Sequence, residues 1–377
     1  MSEKYEIELI ETESGKNKFI QFPYQLYANE KNWVQPLRFD VKNNLNEKKN
    51  PFYEHSKIKL WVARKNGTIA GRIAGIINDN HNKFYHDKVG FFGFFESIND
   101  KNISSMLFDK ASGFVKENGM DTLRGPVSPS TNDECGLLID SFDSPPVMLM
   151  PYNPEYYIEL FESYGFEKAK DLHALWISKD VIKDEKMMGK LDRISDMILK
   201  KENLTIRKVN MKDFQNEVQK VRSIYNNAWE ENWGFVPMTE KEFKYIAANL
   251  KLAVDPDFVE FAEINGEPVG FSLAVPDINQ AIKGMNGKLF PFGFLKFLIN
   301  KKKINQLRVI ILGIKREYHK KGIDAIFYRN VIRAGNNKGF KGAEISWVLE
   351  DNHAMMQTAE KLGAKVYKTY RIFDKKI

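Results

Sequence analysis

A short basic loop, EYHKKGIDA (317–325), contains the residue types that bind an anion. It follows six apolar residues, VIILGI (309–314), and precedes a stretch with helical periodicity, so it connects a strand to a helix. Backbone N–H groups at such a junction bind phosphates. The loop has one glycine, Gly322, and Asp324 places a negative charge at the helix start. Taken alone, it is typical both of a pyrophosphate site and of an ordinary turn, because an acidic residue also stabilises a first helical turn.

Carboxylates that could accept a proton lie beside apolar strands. Asp277 and Asn279 belong to PDINQ (276–280), just past one such strand. A carboxylate with a modestly raised pKa at this position would take a proton from an attacking amine. Glu344 and Glu350 are alternative candidates for the same task.

Two segments combine apolar and polar residues in a way that suits a substrate. In NNAWEENWGFVPMT (226–239), the tryptophans offer apolar surface, although a hydrophobic plug on the sheet would need the same residues. The segment 125–154, rich in Pro, Ser, Asn and Asp, is too long for a simple turn. The residues of it that could face a substrate are Asn132, Glu134, Tyr152 and Asn153. Its Cys135 is typical of a buried, inert thiol.

The stretch LFPFGFLKFLINKKK (289–303) has eight large apolar residues among its first eleven and ends in three lysines. Such a sequence suits a long acyl chain or docking to an anionic bilayer. A core helix with a basic end is the alternative.

Composition excludes several classes of function. Apolar residues make up 43% of the 377 residues, so a disordered chain is excluded. A single cysteine rules out an internal disulfide, and the six histidines form no HxxxH or HExxH pair, so no metal is expected. The net charge of +7 fits an anionic ligand, a membrane surface or nucleic acid. Without a signal peptide or transmembrane pattern, we expect a cytoplasmic protein, with membrane association left open.

The elements that position these residues fall into two halves. Residues 204–377 are predicted to run strand, two helices, hairpin, strand, basic loop, helix, strand, helix and strand, with the hairpin turning at Asn265-Gly266. Residues 179–203 are charged and amphipathic, which predicts a linker helix. Residues 1–178 repeat part of the same order, with a hairpin at Asn66-Gly67.

This order of elements resembles the GCN5-related N-acetyltransferase (GNAT) fold. The stretches that carry the resemblance are LGIKREYHKKGIDAIFY (312–328) and EISWVLEDNHAMMQTAEKLGAKVYKTYRIF (344–373). The family's loop reads roughly Gln/Arg-x-x-Gly-x-Gly/Ala, and His319, Gly322 and Asp324 take these three places, so only the glycine matches. The resemblance implies an α/β (α+β) fold of two tandem GNAT-like acyl-CoA N-acyltransferase domains, each a mixed, mostly antiparallel sheet flanked by helices.

The resemblance also implies a coenzyme A site in the C-terminal domain, with the pyrophosphate on the loop N–H groups. Asn352 would reach this ligand or only cap the helix that follows it. The predicted coenzyme A-binding residues are Leu312, Gly313, Ile314, His319, Lys320, Lys321, Gly322, Ile323, Asp324, Asn352 and Met355. The N-terminal domain has no glycine-bearing loop after GFFGFFES (90–97), so we expect it to bind no coenzyme A and to support the acceptor site.

Many GNAT enzymes protonate the leaving thiolate with a tyrosine, but here Ala359 takes the matching position. Tyr328, Tyr367 and Tyr370 are the available substitutes. We predict Asp277, Glu350 and Tyr370 as catalytic residues. The family places the 226–239 loop over the acceptor, so the predicted substrate-binding residues are Trp229, Asn232, Trp233, Asn279, Asn132 and Tyr152.

The whole chain further resembles bacterial ceramide synthase-like acyltransferases, in residues 125–157, 226–239 and 318–373. This implies an acyl-CoA-dependent N-acyltransferase that moves a long acyl chain to a sphingoid-type amine, without a metal and without nucleic acid. Two alternatives stay open. One is a Fem-like transferase that uses aminoacyl-tRNA, and the other is a non-catalytic binding protein that has kept the GNAT fold.

Overall fold

A computed structural model describes residues 3–182, 184–201, 203–289, 291 and 293–377. Its chain forms two compact units. The N-terminal unit comprises Met1–Leu172, Ile282–Phe297 and Lys368–Ile377, and the C-terminal unit comprises His173–Ala281 and Leu298–Tyr367. Each unit is therefore assembled from more than one stretch of the sequence.

Strands and helices alternate along the chain. The strands are β1 (Tyr5–Leu9), β2 (Ser56–Lys65), β3 (Thr68–Asn78), β4 (Val89–Ser97), β5 (Thr122–Gly125), β6 (Val127–Ser128), β7 (Glu134–Cys135), β8 (Leu137–Leu138), β9 (Glu167–Ser178), β10 (Leu204–Lys208), β11 (Val259–Ile264), β12 (Glu267–Pro276), β13 (Gln306–Ile314), β14 (Gly342–Leu349) and β15 (Lys365–Lys376). The helices are α1 (Glu13–Leu26), α2 (Arg38–Asn44), α3 (Asp79–Tyr85), α4 (Lys101–Glu117), α5 (Tyr157–Tyr164), α6 (Lys179–Ile182), α7 (Glu185–Lys201), α8 (Phe214–Trp229), α9 (Glu240–Leu250), α10 (Asn279–Ile282), α11 (Gly293–Lys301), α12 (Ile323–Asn337) and α13 (His353–Lys361).

The N-terminal unit contains a mixed sheet in the order β1-β2-β3-β4-β5-β15. Its pairs are antiparallel except β4 and β5, which run parallel. As predicted, β2 and β3 turn at Asn66-Gly67, both of which have positive φ. The core is rich in aromatic rings, and Phe95 stacks on Phe108 with 4.6 Å between ring centroids.

In the C-terminal unit the strands follow the order β14-β13-β12-β11-β10, here called the C-terminal sheet. Only β13 and β14 run parallel, and β11 and β12 turn at Asn265-Gly266, as predicted. The α12 side chains Ile326 and Phe327 pack on one face, and α8 covers the other face around Phe261 and Phe271. The predicted fold class is thus confirmed: in each unit the strand pairing is mixed and mostly antiparallel, and helices flank the strands.

Candidate active site

The parallel strands β13 and β14 separate partway along their length in the C-terminal unit. Their ladder runs from Gln306–Gly342 to Val309–Ile345, and β13 continues to Ile314 beyond these pairs. Past this point, β13 still pairs with β12 on its other side, through Leu312 and Ser272. Where two strands separate, their backbone N–H and C=O groups no longer pair with each other and can form hydrogen bonds with an extended ligand.

The basic loop after β13 is built around two left-handed residues. Lys320 has φ 61°, and Gly322 has φ 79° directly before α12. The N-cap residue of α12 is Gly322, which has no side chain to cap the first turn. Successive N–H groups in such a turn, followed by a helix N-terminus, form an anion-binding concavity. The Nε2 of His319 lies 2.8 Å from the carbonyl oxygen of Ile314, so this side chain fastens the loop to the end of β13.

Asp324 occupies the first turn of α12. Burial raises the pKa of Tyr328, and the charge of Asp324 raises it further. The two residues are four apart, so they share one face of the helix. Asp324 therefore lies along the flank of α12 as a first-turn residue, which is compatible with an anion on the preceding N–H groups.

Asn352 caps α13. Its Oδ1 accepts a hydrogen bond from the N–H of Met355 at 3.2 Å, as the simpler of its two predicted roles requires. The sulfur of Met355 accepts a hydrogen bond from the Tyr328 hydroxyl at 3.0 Å. These two predicted ligand residues thus join the start of α13 to the middle of α12.

An apolar cavity of about 40 Å³ lies between α12 and the C-terminal sheet. Val309 and Ile345, the last paired residues of β13 and β14, both line it, as does Leu312. Ser272 also lines the cavity, and its buried hydroxyl has no hydrogen-bond partner among the described residues. Such an orphan hydroxyl in apolar surroundings is costly unless something else satisfies it.

A buried polar cluster occupies the opposite face of the same sheet. Glu344 on β14 is fully buried and accepts a hydrogen bond from the Tyr367 hydroxyl. Its Oε1 has no hydrogen-bond partner within the described part of the chain. On β13, Arg308 donates to the hydroxyl of Ser346 at 2.9 Å. The sequence ranked Glu344 only as an alternative; the signal was a carboxylate inside an otherwise apolar strand.

The three predicted catalytic residues belong to different elements, and Asp277 and Glu350 belong to the C-terminal unit. Asp277 is buried at the end of β12 and accepts a hydrogen bond from the N–H of Asn279 at 3.2 Å. Glu350 follows β14 and is half-buried. Tyr370 is fully buried in the N-terminal unit, where it pairs with Leu138.

The loop predicted to cover the acceptor is tied to the basic loop. Arg316 forms ion pairs of 2.9 Å with Glu230 and with Glu231, and its N–H donates to the Asn227 side chain at 3.0 Å. Trp229 packs inward, stacked on Tyr225 with ring centroids 4.9 Å apart. It also lies so close to Gly313 that a Cβ there would come within 2.2 Å of the indole.

Other predicted acceptor residues lie at or near this loop or in the N-terminal unit. Asn232 donates its N–H to the Trp229 carbonyl at 2.8 Å, and Trp233 is half-buried. In the N-terminal unit, the N–H of Asn132 donates to the Ser130 hydroxyl at 3.2 Å. Tyr152 lies edge-on to Tyr27, and burial is the main cause that raises its pKa.

The helix after β4 begins differently from α12. Asp100 caps α4 by accepting from the N–H of Asn102, and its carboxylate also pairs with Lys65 at 2.8 Å. The negative charge of Asp100 at the start of α4 would repel a phosphate bound there. Across the described residues, no helix is long and apolar enough to cross a membrane, and no cluster of His, Cys, Asp and Glu has the arrangement of a metal site.

No known family model matches the chain. It is 37% identical to protein YghO of Escherichia coli (strain K12), over 98% of this chain and 95% of that protein. It is 32% identical to the bacterial ceramide synthase of Caulobacter vibrioides (strain NA1000 / CB15N), over 97% of this chain and 96% of that protein. Among solved structures, it is similar to a tandem GNAT protein from the clavulanic acid biosynthesis pathway (without AcCoA), with a TM-score of 0.58, 11% identity and coverage of 99% and 98%. The tandem GNAT fold predicted from the sequence is therefore confirmed.

Proposed function

The chain belongs to the family of protein YghO and the bacterial ceramide synthase, and on this premise we propose that it is an N-acyltransferase that moves an acyl group from acyl-CoA to a primary amine. One observation carries the donor assignment. The uncapped start of α12 follows two left-handed residues, at the end of the strand that separates from β14. The loop would hold the pyrophosphate, and the gap between the strands would hold the pantetheine arm, with Leu312, Gly313, Ile314, Asn352 and Met355 around it.

In the proposed reaction, the amine nitrogen attacks the thioester carbonyl carbon. The C–N bond forms, the C–S bond breaks, one N–H proton passes to a carboxylate, and the departing thiolate takes up a proton. Positioning of the two substrates supplies much of the rate, and backbone N–H groups polarise the carbonyl. Asp277, Glu350 and Glu344 are the candidate proton acceptors, and Tyr370 and Tyr367 are candidate donors to sulfur.

We assign the acyl group to the long-chain class and the acceptor to the sphingoid-type lipid amines. The support is the name of the Caulobacter relative, since a ceramide is the amide of a sphingoid base with a fatty acid. Because a lipid amine resides in a bilayer, peripheral contact with a membrane belongs to the proposal. The N-terminal domain would support the acceptor and bind no coenzyme A.

Thermal unfolding with coenzyme A, acetyl-CoA and palmitoyl-CoA tests the donor. A ligand at 100 times its Kd stabilises the folded chain by about 2.7 kcal/mol. We expect a rise in Tm that is largest for palmitoyl-CoA. If none of the three ligands, well above micromolar concentration, raises the Tm, the acyl-CoA proposal fails. Salt-sensitive binding of tRNA in the same samples would instead favour the Fem-like alternative.

A further inference from the structure

The helix α11 exposes an apolar face. Phe294, Leu295, Leu298 and Ile299 are 43%, 61%, 42% and 60% exposed. Positions i, i+1, i+4 and i+5 of a helix lie on one side, so these four side chains form a continuous surface. An apolar patch of this kind on a soluble protein marks an interaction site. Phe290 and Phe292, in the same Phe-rich stretch, lie outside the described residues.

Three polar side chains of α11 fasten the helix to the protein. Asn300 donates to the carbonyl oxygen of Ala281 at 3.2 Å, and Lys296 donates to that of Gly284 at 3.2 Å. The ammonium group of Lys301 donates to the carbonyl oxygen of Leu252 at 2.9 Å. Leu252 itself is 77% exposed, so it extends the apolar surface beside the helix end.

The chain around α11 is strongly basic. Residues 278–305 include six lysines and no aspartate or glutamate. Lys288, before α11 in the chain, and Lys302 and Lys303, after it, are exposed. An apolar strip flanked by lysines matches the acyl boundary and the anionic headgroups of a bilayer. A protein partner would have to match the same strip with an acidic rim.

We propose that α11 is the membrane-docking helix of this protein and that its occupant is the surface of an anionic phospholipid bilayer. The apolar side chains enter the headgroup boundary, and the lysines contact the anionic headgroups. This rests on the proposed function in one respect: a lipid amine would be delivered from the same bilayer. The docking itself needs no acyl-CoA.

Co-sedimentation with vesicles tests this surface. The full chain is mixed with vesicles of phosphatidylcholine alone and of phosphatidylcholine with 30% phosphatidylglycerol. We expect binding at least tenfold tighter to the anionic vesicles, and weaker at high salt. The double variant Leu295→Glu/Ile299→Glu should lose at least tenfold in affinity, and Lys302→Gln/Lys303→Gln severalfold. Met197→Glu on α7 alters an apolar residue that is 62% exposed elsewhere, so it should bind like the unaltered chain.

The proposal is overturned if the double glutamate variant binds anionic vesicles as tightly as the unaltered chain. It is equally overturned if the unaltered chain binds no vesicles, or if the variant only converts a dimer into a monomer, because α11 would then pair two copies. The rise in Tm with palmitoyl-CoA, measured on the same variants, separates the two proposals. Retention of that shift together with loss of vesicle binding supports docking, and absence of the shift in every protein rejects the donor assignment alone.

Discussion

Gly322 meets two separate constraints at the start of α12. Its φ of 79° is a conformation that glycine adopts readily and other residues adopt only with strain. A Cβ at this position would also lie 2.5 Å from Cδ1 of Ile198. We expect Gly322→Val to cost about 1–3 kcal/mol and to remove the rise in Tm caused by palmitoyl-CoA. Gly339→Ala is the matched control, because Gly339 has the same φ at the other end of α12 and open space around its Cα. A Gly322→Val variant that keeps the full ligand shift would contradict the role of this loop.

Glu344 is better placed than Asp277 to accept the amine proton. One oxygen of Glu344 has no partner within the described chain, whereas Asp277 already holds the N–H of Asn279. We expect Glu344→Gln to lower kcat about 100-fold or more, the typical contribution of a proton acceptor, with the palmitoyl-CoA shift in Tm retained. Asp277→Asn is the comparison. If Asp277→Asn lowers kcat more than Glu344→Gln does, Asp277 is the proton acceptor, as the sequence predicted.

His81 makes the N-terminal unit sensitive to acid. It lies 2% exposed between Tyr85 and Phe91, and burial lowers its pKa to about 3. In the unfolded chain this histidine takes up a proton near pH 6.5, whereas in the folded chain it stays neutral down to a much lower pH. The free energy of unfolding is therefore highest above pH 6.5 and decreases as the pH falls below that value.

From pH 7 to pH 5, the loss from His81 amounts to about 2 kcal/mol. Urea unfolding at the two pH values measures it. His81→Phe should reduce this pH dependence, since the ring still packs between its neighbours. An unchanged slope in His81→Phe would show that other groups govern the acid response.

At the scale of elements, α7 holds the outer face of α12. Ile198 packs against Ile323 and Ile326, and Asp192 pairs with Arg333 at 2.7 Å. We expect Ile198→Ala to cost about 2–4 kcal/mol, because it leaves a cavity in this buried cluster. Arg333→Ala should cost less than about 1 kcal/mol, since the ion pair is exposed. The urea unfolding midpoints of the two variants measure these losses. If Arg333→Ala lowers the free energy of unfolding more than Ile198→Ala does, the ion pair rather than apolar packing holds α7 on α12.

Elements with local signals were predictable from the sequence. Asn-Gly pairs predicted the turns of both hairpins, and the periodicity after the basic loop predicted a helix, which the structure has at Ile323–Asn337. Contacts between distant residues carry no such signal. The approach of Ile198 to Gly322, the partnership of Glu344 with Tyr367, and the ion pairs of Arg316 with Glu230 and Glu231 all join separate elements. Sequence patterns could therefore nominate the donor loop but could not rank the carboxylates.

At the scale of the whole molecule, the two units share a fold yet differ where a phosphate would bind. In the C-terminal unit, α12 starts uncapped after a glycine with positive φ. In the N-terminal unit, Asp100 caps α4 and pairs with Lys65. This difference supports a single coenzyme A site per chain, although the fold is present twice.

Hydrogen exchange with and without palmitoyl-CoA tests this asymmetry across the chain. A bound pyrophosphate would shield the N–H groups that it contacts, so we expect slower exchange in residues 312–326 and around 352–356. No change is expected in 98–104, because a carboxylate already occupies the start of α4. The Gly322→Val variant serves as the control and should show no ligand-dependent protection in 312–326. Equal protection of 98–104 in the unaltered chain would mean that both units bind the donor, and the N-terminal unit would then need a catalytic role of its own.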